Sequence, residues 1–175
     1  MIFVTIGTSK PFDRLLEALD GVELAGGEEL VVQCGDSALR PANARCVGFL
    51  PFAELVDHVR RARILVAHAG AGTVLTAVSL GVRPLVVPRL AAHGEAADDH
   101  QVDFARRLAQ AGLVSLVDEP ADLPAAIAAA PDARLEAGVS QRGSQLAGEL
   151  RDYLRATVYG VPGRGHAPRT ERVEV

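Results

Sequence analysis

Ile64-Leu-Val-Ala-His-Ala-Gly-Ala-Gly-Thr-Val-Leu-Thr-Ala-Val-Ser-Leu-Gly81, continued by Val82-Arg-Pro-Leu-Val-Val-Pro88, is the stretch that decides how this chain folds. Ile64 to Ala67 is a short apolar run of the kind buried on both faces of a parallel sheet. Val74 to Leu80 has the length and apolar spacing of a helix, closed by Gly81 at its C-terminal cap. Between them lies His68-Ala-Gly-Ala-Gly-Thr73. Gly70 and Gly72 let the backbone turn sharply and approach a ligand, and Thr73 is expected to cap the helix and leave its first amide hydrogens pointing outward. Such amides, together with the roughly half positive charge at a helix N-terminus, favour a phosphate or diphosphate, and His68 at the strand's carboxyl end would add a donor. A plainer reading fits the same residues: a tight strand-to-helix turn beside a core histidine. Spacing alone does not choose between the two.

The rest of the chain repeats this unit. Ile2 to Ile6 reads as the first strand and Gly7-Thr8-Ser9 as its turn, with Pro11 at the first position of a helix that carries Phe12, Leu15, Leu16 and Leu19. Leu30 to Cys34 and Arg45 to Gly48 are the second and third strands; Phe49-Leu50-Pro51-Phe52 then breaks the pattern before a helix from Ala53 to Arg61. Leu85 to Val87 is the fifth strand. The polar loop Arg89 to Gln101 runs into a helix carrying Val102, Phe104, Ala105, Leu108 and Ala109. A strand from Leu113 to Val117, a short helix around Leu123 to Ala129 and an amphipathic helix from about Leu135 to Val158 follow, the last with Leu146, Leu150, Tyr153 and Leu154 on one stripe. The alternation predicts a Rossmann-like α/β fold: a doubly wound parallel sheet of about six strands with helices on both faces, forming one domain over residues 1–158 with a flexible tail over 159–175. Ligands of such sheets bind outside the carboxyl ends of the strands, where the glycine-rich and polar turns fall here.

Composition narrows the function classes. The 175 residues are 49% hydrophobic and 4% aromatic, with a formal charge of −4, which does not suggest the clustered basic surface of a nucleic-acid binder. No run of about 18 apolar residues occurs, and Met1 leads directly into a strand, so a soluble, cytoplasmic protein is expected. Cys34 and Cys46 lack the spacing of a metal or redox pair and read as buried thiols. His93, Asp98, Asp99 and His100 invite a metal reading, but their spacings match no closed site, and the two acids suit a helix N-terminus instead; no metal is predicted.

Phe3-Val-Thr-Ile-Gly-Thr8, Gly48-Phe-Leu50, His68-Ala-Gly-Ala-Gly-Thr73 and Asp98-Asp-His-Gln101 occur in a particular order. Together they resemble the C-terminal, nucleotide-sugar-binding half of GT-B glycosyltransferases of family 28, over about residues 1–130. The resemblance is closest to proteins in which that half is a separate chain, such as the catalytic subunit of the dolichol-linked GlcNAc transferase and the small subunits of bacterial exopolysaccharide glycosyltransferases. It implies the donor-binding subunit of a two-chain, inverting UDP-sugar glycosyltransferase that acts without a cofactor on a polyprenyl-diphosphate-linked acceptor. By the same resemblance, backbone at Leu50 would pair with uracil, and His68, Gly70, Gly72 and Thr73 would hold the diphosphate. Gly7, Thr8 and Ser9 would face the reaction centre, while Gln101 with Asp99 or His100 would bond hydroxyls of the sugar. Many relatives carry a ribose-binding Glu eight residues after the motif histidine, where this chain has Thr76. A hydroxyl in place of a carboxylate costs roughly 1–2 kcal/mol there, so either Thr76 suffices, Glu95 reaches in from the next loop, or the nucleotide differs.

The acceptor-binding half is absent from these residues. The resemblance assigns it to a membrane-associated partner chain, which would recruit this subunit to the cytoplasmic face of the membrane and supply the catalytic base; within this chain His93 and His100 are the loop candidates for that role. A non-catalytic nucleotide-sugar-binding or regulatory module is the alternative, and Thr76 is the residue that favours it. A dinucleotide-binding oxidoreductase fits poorly, because the first turn lacks GxGxxG and Cys34-Gly35, with no acidic residue, ends the second strand.

Overall fold

The computed structural model describes residues 1–130 and 134–135. Within them six strands, β1 (Ile2–Thr5), β2 (Leu30–Gln33), β3 (Arg45–Val47), β4 (Ile64–His68), β5 (Leu85–Val87) and β6 (Ser115–Leu116), form one sheet in the order β3-β2-β1-β4-β5-β6. Every pairing is parallel. Five α-helices connect them: α1 (Asp13–Ala18), α2 (Phe52–Arg61), α3 (Ala71–Ser79), α4 (His100–Gln110) and α5 (Leu123–Ala129). The doubly wound fold read from the alternation is therefore the one observed.

Both sheet faces are covered, which is why the strands are continuous apolar runs. On one face Ile2, Val4, Leu30, Val32, Ile64 and Val66 pack with Leu15 and Leu16 of α1 and Ile127 of α5. On the other, Phe3, Val31 and Leu65 meet Val59 of α2 and Ala77 of α3, while Val86 meets Val74 and Val78 of α3 with Ala105 and Leu108 of α4. Each fully buried aliphatic or aromatic side chain here contributes about 1.5–3 kcal/mol.

Several boundaries differ from the sequence reading. The first three strands stop a residue early because beyond Thr5 and Gln33 the ladder continues only as single bonds, Ile6 N–H to Gln33 O (3.3 Å) and Cys34 N–H to Val47 O (2.9 Å). β6 is two residues long, since this edge strand has β5 on one side alone. Pro11 does not open α1; the helix starts at Asp13, where the Phe12 carbonyl accepts from Leu15 and Leu16. Gly81, at φ +72°, closes α3 as expected, in the left-handed conformation that glycine adopts without penalty. The amphipathic helix expected from Leu135 to Val158 and the tail over 159–175 lie outside the described residues, apart from Leu135 itself, which donates to Gly81 O at 2.9 Å.

The chain builds β1, β2 and β3 outward in one direction and then returns to place β4 on the other side of β1. The crevice between the carboxyl ends of β1 and β4 is the topological switch point, where sheets of this strand order take their ligands. Thr5 lies level with Ala67, so the β1 turn and the His68 turn leave the sheet side by side.

Candidate functional site

His68 is the last residue of β4 and is 8% exposed. Its ring is wedged between two glycines. A Cβ at Gly7 would stand 2.5 Å from the His68 Cε1, and a Cβ at Gly70 would stand 2.1 Å from its Nε2. Gly7, at φ +75°, also needs a conformation that other residues rarely adopt. Both glycines thus have a packing reason: they make room for the imidazole. Burial pushes the His68 pKa down to about 4, with the Arg89 charge acting in the same direction and the Thr5 backbone acting weakly against them. Nδ1 is buried and has no hydrogen-bond partner of normal geometry among the described residues. At neutral pH the ring is therefore an uncharged group with one N–H to give.

Gly70, in extended geometry (φ −77°, ψ 123°), is the N-terminal cap of α3, and the first helical bond is Val74 N–H to Gly70 O at 3.1 Å. Thr73 is consequently inside the first turn and does not cap the helix; no side chain does. The reason is that Gly70 already provides the extended cap geometry, so the helix starts three residues sooner than a Thr73 cap would allow. The N–H groups of Ala71, Gly72 and Thr73 are left without acceptors among the described residues. Gly72 is exposed, and a Cβ there would meet nothing within 4 Å. Amides, helix dipole, open space and a neutral imidazole meet at the switch point, which is what a diphosphate requires.

The other residues named from the sequence surround this point. Thr8 and Ser9 are exposed at the tip of the β1 turn. Leu50 turns its side chain into the core beside Phe3 and Val59, and neither of its backbone groups has a bond within the described residues, so both are available to a base. Thr76, one turn along α3 from Gly72, donates its hydroxyl to Gly72 O at 2.7 Å. Gln101 is partly committed: its Oε1 accepts from Arg89 N–H at 3.2 Å. Asp99 accepts from Ala91 N–H at 2.9 Å, and its neighbour Asp98 is held below the usual carboxylate range by the backbone N–H and the ring of His100, the latter 2.7 Å away. His100 is 88% exposed. These acids do precede a helix, α4, as expected of them. Among the described residues no group of three or more His, Cys, Asp and Glu side chains could hold a metal ion.

The Glu95 carboxylate is already engaged within the fold. The residue is 9% exposed, and its carboxylate accepts from Arg14 Nε and Nη2, both at 3.0 Å, and from Leu90 N–H at 3.0 Å. Burial pushes its pKa up, but these donors outweigh burial and hold it below the ordinary value. A cleft of about 380 Å³ opens beside this pair, between Lys10–Arg14 and His93–Glu95. Its lining includes His93 but neither His68 nor any residue of the α3 turn.

Two features escaped the sequence reading. Arg89, 1% exposed, donates to four backbone carbonyls in the loops after β1 and β5. Its only sequence signal is an arginine directly after the apolar strand end Val87-Pro88, which says nothing of where the guanidinium goes. Phe49 and Phe52, which the sequence places only in a break before the helix, stand 74% and 68% exposed at the β3–α2 turn, with Phe52 the first residue of α2. No helix among the described residues is long and apolar enough to cross a membrane.

Comparison with known proteins agrees with this architecture. The UDP-N-acetylglucosamine transferase subunit ALG13 of Yarrowia lipolytica is 26% identical over 121 residues, 62% of this chain and 60% of that protein. The human protein of the same name is 28% identical over 122 residues, 63% of this chain but 10% of its own length. Among solved structures, the glycotransferase of kitacinnamycin superposes with a TM-score of 0.59 at 22% identity, covering 86% of this chain and 39% of that one. MurG of Acinetobacter baumannii gives 0.58 at 21% identity, covering 89% and 49%. These two show a shared fold. The glycosyltransferase family 28 C-terminal domain matches residues 1–145, a span that includes the whole sheet and every turn described above, and the chain belongs to that family.

Proposed function

We propose that this chain is the donor-binding subunit of a two-chain, inverting glycosyltransferase. It takes a UDP-sugar at the switch point, and a membrane-associated partner brings a polyprenyl-diphosphate-linked acceptor during exopolysaccharide synthesis at the cytoplasmic face of the membrane. The observation that carries the reading is the set of unpartnered α3 amides, open at Gly72 and flanked by neutral His68, in a family 28 domain. When an acceptor hydroxyl attacks the sugar's anomeric carbon, negative charge develops on the departing diphosphate. Amides fixed in place stabilise that charge without reorganising, so no metal is needed for the leaving group. Leu50 would bond the base, Thr76 the ribose, and Gln101 with Asp99 or His100 the sugar. Gly7, Thr8 and Ser9 would face the diphosphate and the reaction centre.

Deprotonation of the acceptor falls to the partner in this reading, with His93 and His100 the groups of this chain able to share in it. A half-site cannot exclude water or orient the acceptor, so the isolated chain should bind UDP yet turn over little. Phe49 and Phe52 supply apolar surface at the rim that a partner would cover. One observation favours the non-catalytic alternative: the Thr76 hydroxyl, standing where many relatives place a carboxylate, already donates to Gly72 O.

Calorimetric titration of the purified chain with UDP, UDP-GlcNAc, UDP-glucose, UDP-glucuronic acid and GDP, with and without magnesium, tests the reading. Uridine-selective, magnesium-independent binding in the micromolar to low-millimolar range is expected, with turnover appearing once the partner is added. Binding without turnover in the presence of the partner would favour the alternative, and GDP preferred over UDP would overturn the uridine assignment.

A further inference from the structure

The turn after β1 has no fastening of its own. Among the described residues no backbone hydrogen bond closes residues 7–11 on themselves; Gly7 N–H reaches back to Thr5 Oγ1 at 3.3 Å, and Thr8 and Ser9 are exposed. What fixes its shape is Arg89, which arrives from the end of β5, across β4. Nη2 donates to both Ile6 O and Lys10 O at 2.6 Å, so one nitrogen pins the two ends of a five-residue loop. Nη1 donates to Pro11 O and Glu95 O, each at 3.2 Å, and thereby ties that loop to the one after β5. The second loop is folded around Glu95, which takes Leu90 N–H and the Arg14 fork, while the Arg89 N–H itself is held by Gln101. Phe12 lies beneath, its ring centroid 5.2 Å from the Arg89 Cζ.

Packing alone would not select a guanidinium here. Burying a charge costs more than burying an aliphatic chain of the same length, and burial lowers the Arg89 pKa while Glu95 opposes that shift. A planar fork can serve four converging carbonyls at set angles, and no other side chain can. One of the two loops so joined touches His68 directly, through Gly7.

We propose that Arg89 is a positioning residue of the nucleotide site: it holds the loops 6–11 and 90–95 as one unit and so sets where Gly7, Thr8 and Ser9 stand relative to His68 and the α3 amides. This rests on the diphosphate reading given above for the part that concerns ligand. Arg89→Lys keeps the charge but replaces the fork by a single nitrogen with at most three donors. Hydrogen exchange should then rise several-fold at the bonded amides of both loops, Ile6 and Gly7 in the first and Leu90, Ala91, His93, Gly94 and Glu95 in the second, and stay unchanged in 64–68, and UDP measured by calorimetry should bind about tenfold more weakly. Faster exchange in one loop alone, or in neither, overturns the proposal, as does wild-type UDP affinity in a variant whose two loops exchange faster.

Native-state exchange of the wild-type chain provides a second reading that needs no substitution. The bonded amides of the two loops, Ile6 and Gly7 in one and Leu90 to Glu95 in the other, should lose protection at one denaturant concentration, as a single cooperative unit, and separate openings would overturn the coupling even if Arg89→Lys did not fold. Absence of UDP binding by the wild-type chain would count against the function proposed above, while the exchange data would still decide whether Arg89 joins the loops.

Discussion

Gly70 and Gly72 are two residues apart, and the structure gives them opposite reasons to be glycine. Replacing Gly70 with alanine places a methyl 2.1 Å from His68 Nε2 and 2.7 Å from its Cε1, both well inside an ordinary contact of 3.4 Å. The ring has no retreat, because Gly7 packs against it closely enough that a Cβ there would lie 2.5 Å from the same Cε1. Gly70→Ala should therefore cost about 1–3 kcal/mol by overpacking, a melting temperature lower by roughly 2–10 °C. Its backbone at φ −77° and ψ 123° suits alanine, so the penalty is the clash and not strain. Urea unfolding of wild type, Gly70→Ala, His68→Ala and the double variant isolates this: with the imidazole gone, the added methyl should cost nothing, giving a coupling of about 1–3 kcal/mol. Equal costs of Gly70→Ala in both backgrounds would refute the wedge. Gly72→Ala is the counterpart. Nothing stands within 4 Å, alanine is up to about 1 kcal/mol better in a helix, and stability should hold or rise slightly. If a diphosphate lies on that face, UDP affinity should nevertheless fall at least tenfold, and unchanged affinity would remove the anion site from α3.

The His68 ring binds a proton in the unfolded chain at about its ordinary 6.5 but in the folded chain at about 4, so between those pH values the unfolded state carries more protons and stability falls as pH falls. At 1.36 kcal/mol per pH unit the gap amounts to roughly 3 kcal/mol lost by pH 4, and denaturant midpoints across pH 4–7 should show a fall that His68→Asn largely abolishes. Thr76→Val should weaken UDP several-fold and Thr76→Glu should not; unchanged binding by the valine variant would remove Thr76 from the ribose site. Phe49→Asp with Phe52→Asp should leave the unfolding free energy within about 1 kcal/mol, as both side chains are largely in solvent, yet prevent co-purification with the acceptor-binding partner from membranes. Retained co-purification would place the partner elsewhere.

The sheet was legible because parallel strands buried on both faces leave unbroken apolar runs such as Ile64 to Ala67, each followed by a turn rich in glycine or small polar residues. Helix starts were less so. Thr73 looks like a cap by residue type, but Gly70 can take the extended cap geometry itself and does so, three residues earlier. Glu95 illustrates a different limit: a carboxylate in the right loop is free to bind ribose only if nothing else in the fold claims it, and Arg14, 81 residues away in sequence, does. The same holds for Arg89, whose acceptors at Ile6 and Lys10 lie about 80 residues before it. Such pairings depend on which strand ends adjoin, and strand order is invisible to local spacing. Of the two readings of the His68 turn offered by the sequence, the packing shows the turn beside a buried histidine, and the unpartnered α3 amides leave other atoms free for the proposed anion site. Gly7 and Gly70 admit the ring, and the ring's burial keeps it neutral. A charged imidazolium would attract a diphosphate more strongly but would also hold the product UDP, whereas a neutral N–H beside open amides binds through directed hydrogen bonds that a developing negative charge strengthens. The packing role of the two glycines is thus compatible with the ligand role proposed for the turn, and Gly72, which packs against nothing, is where the ligand role can be tested alone.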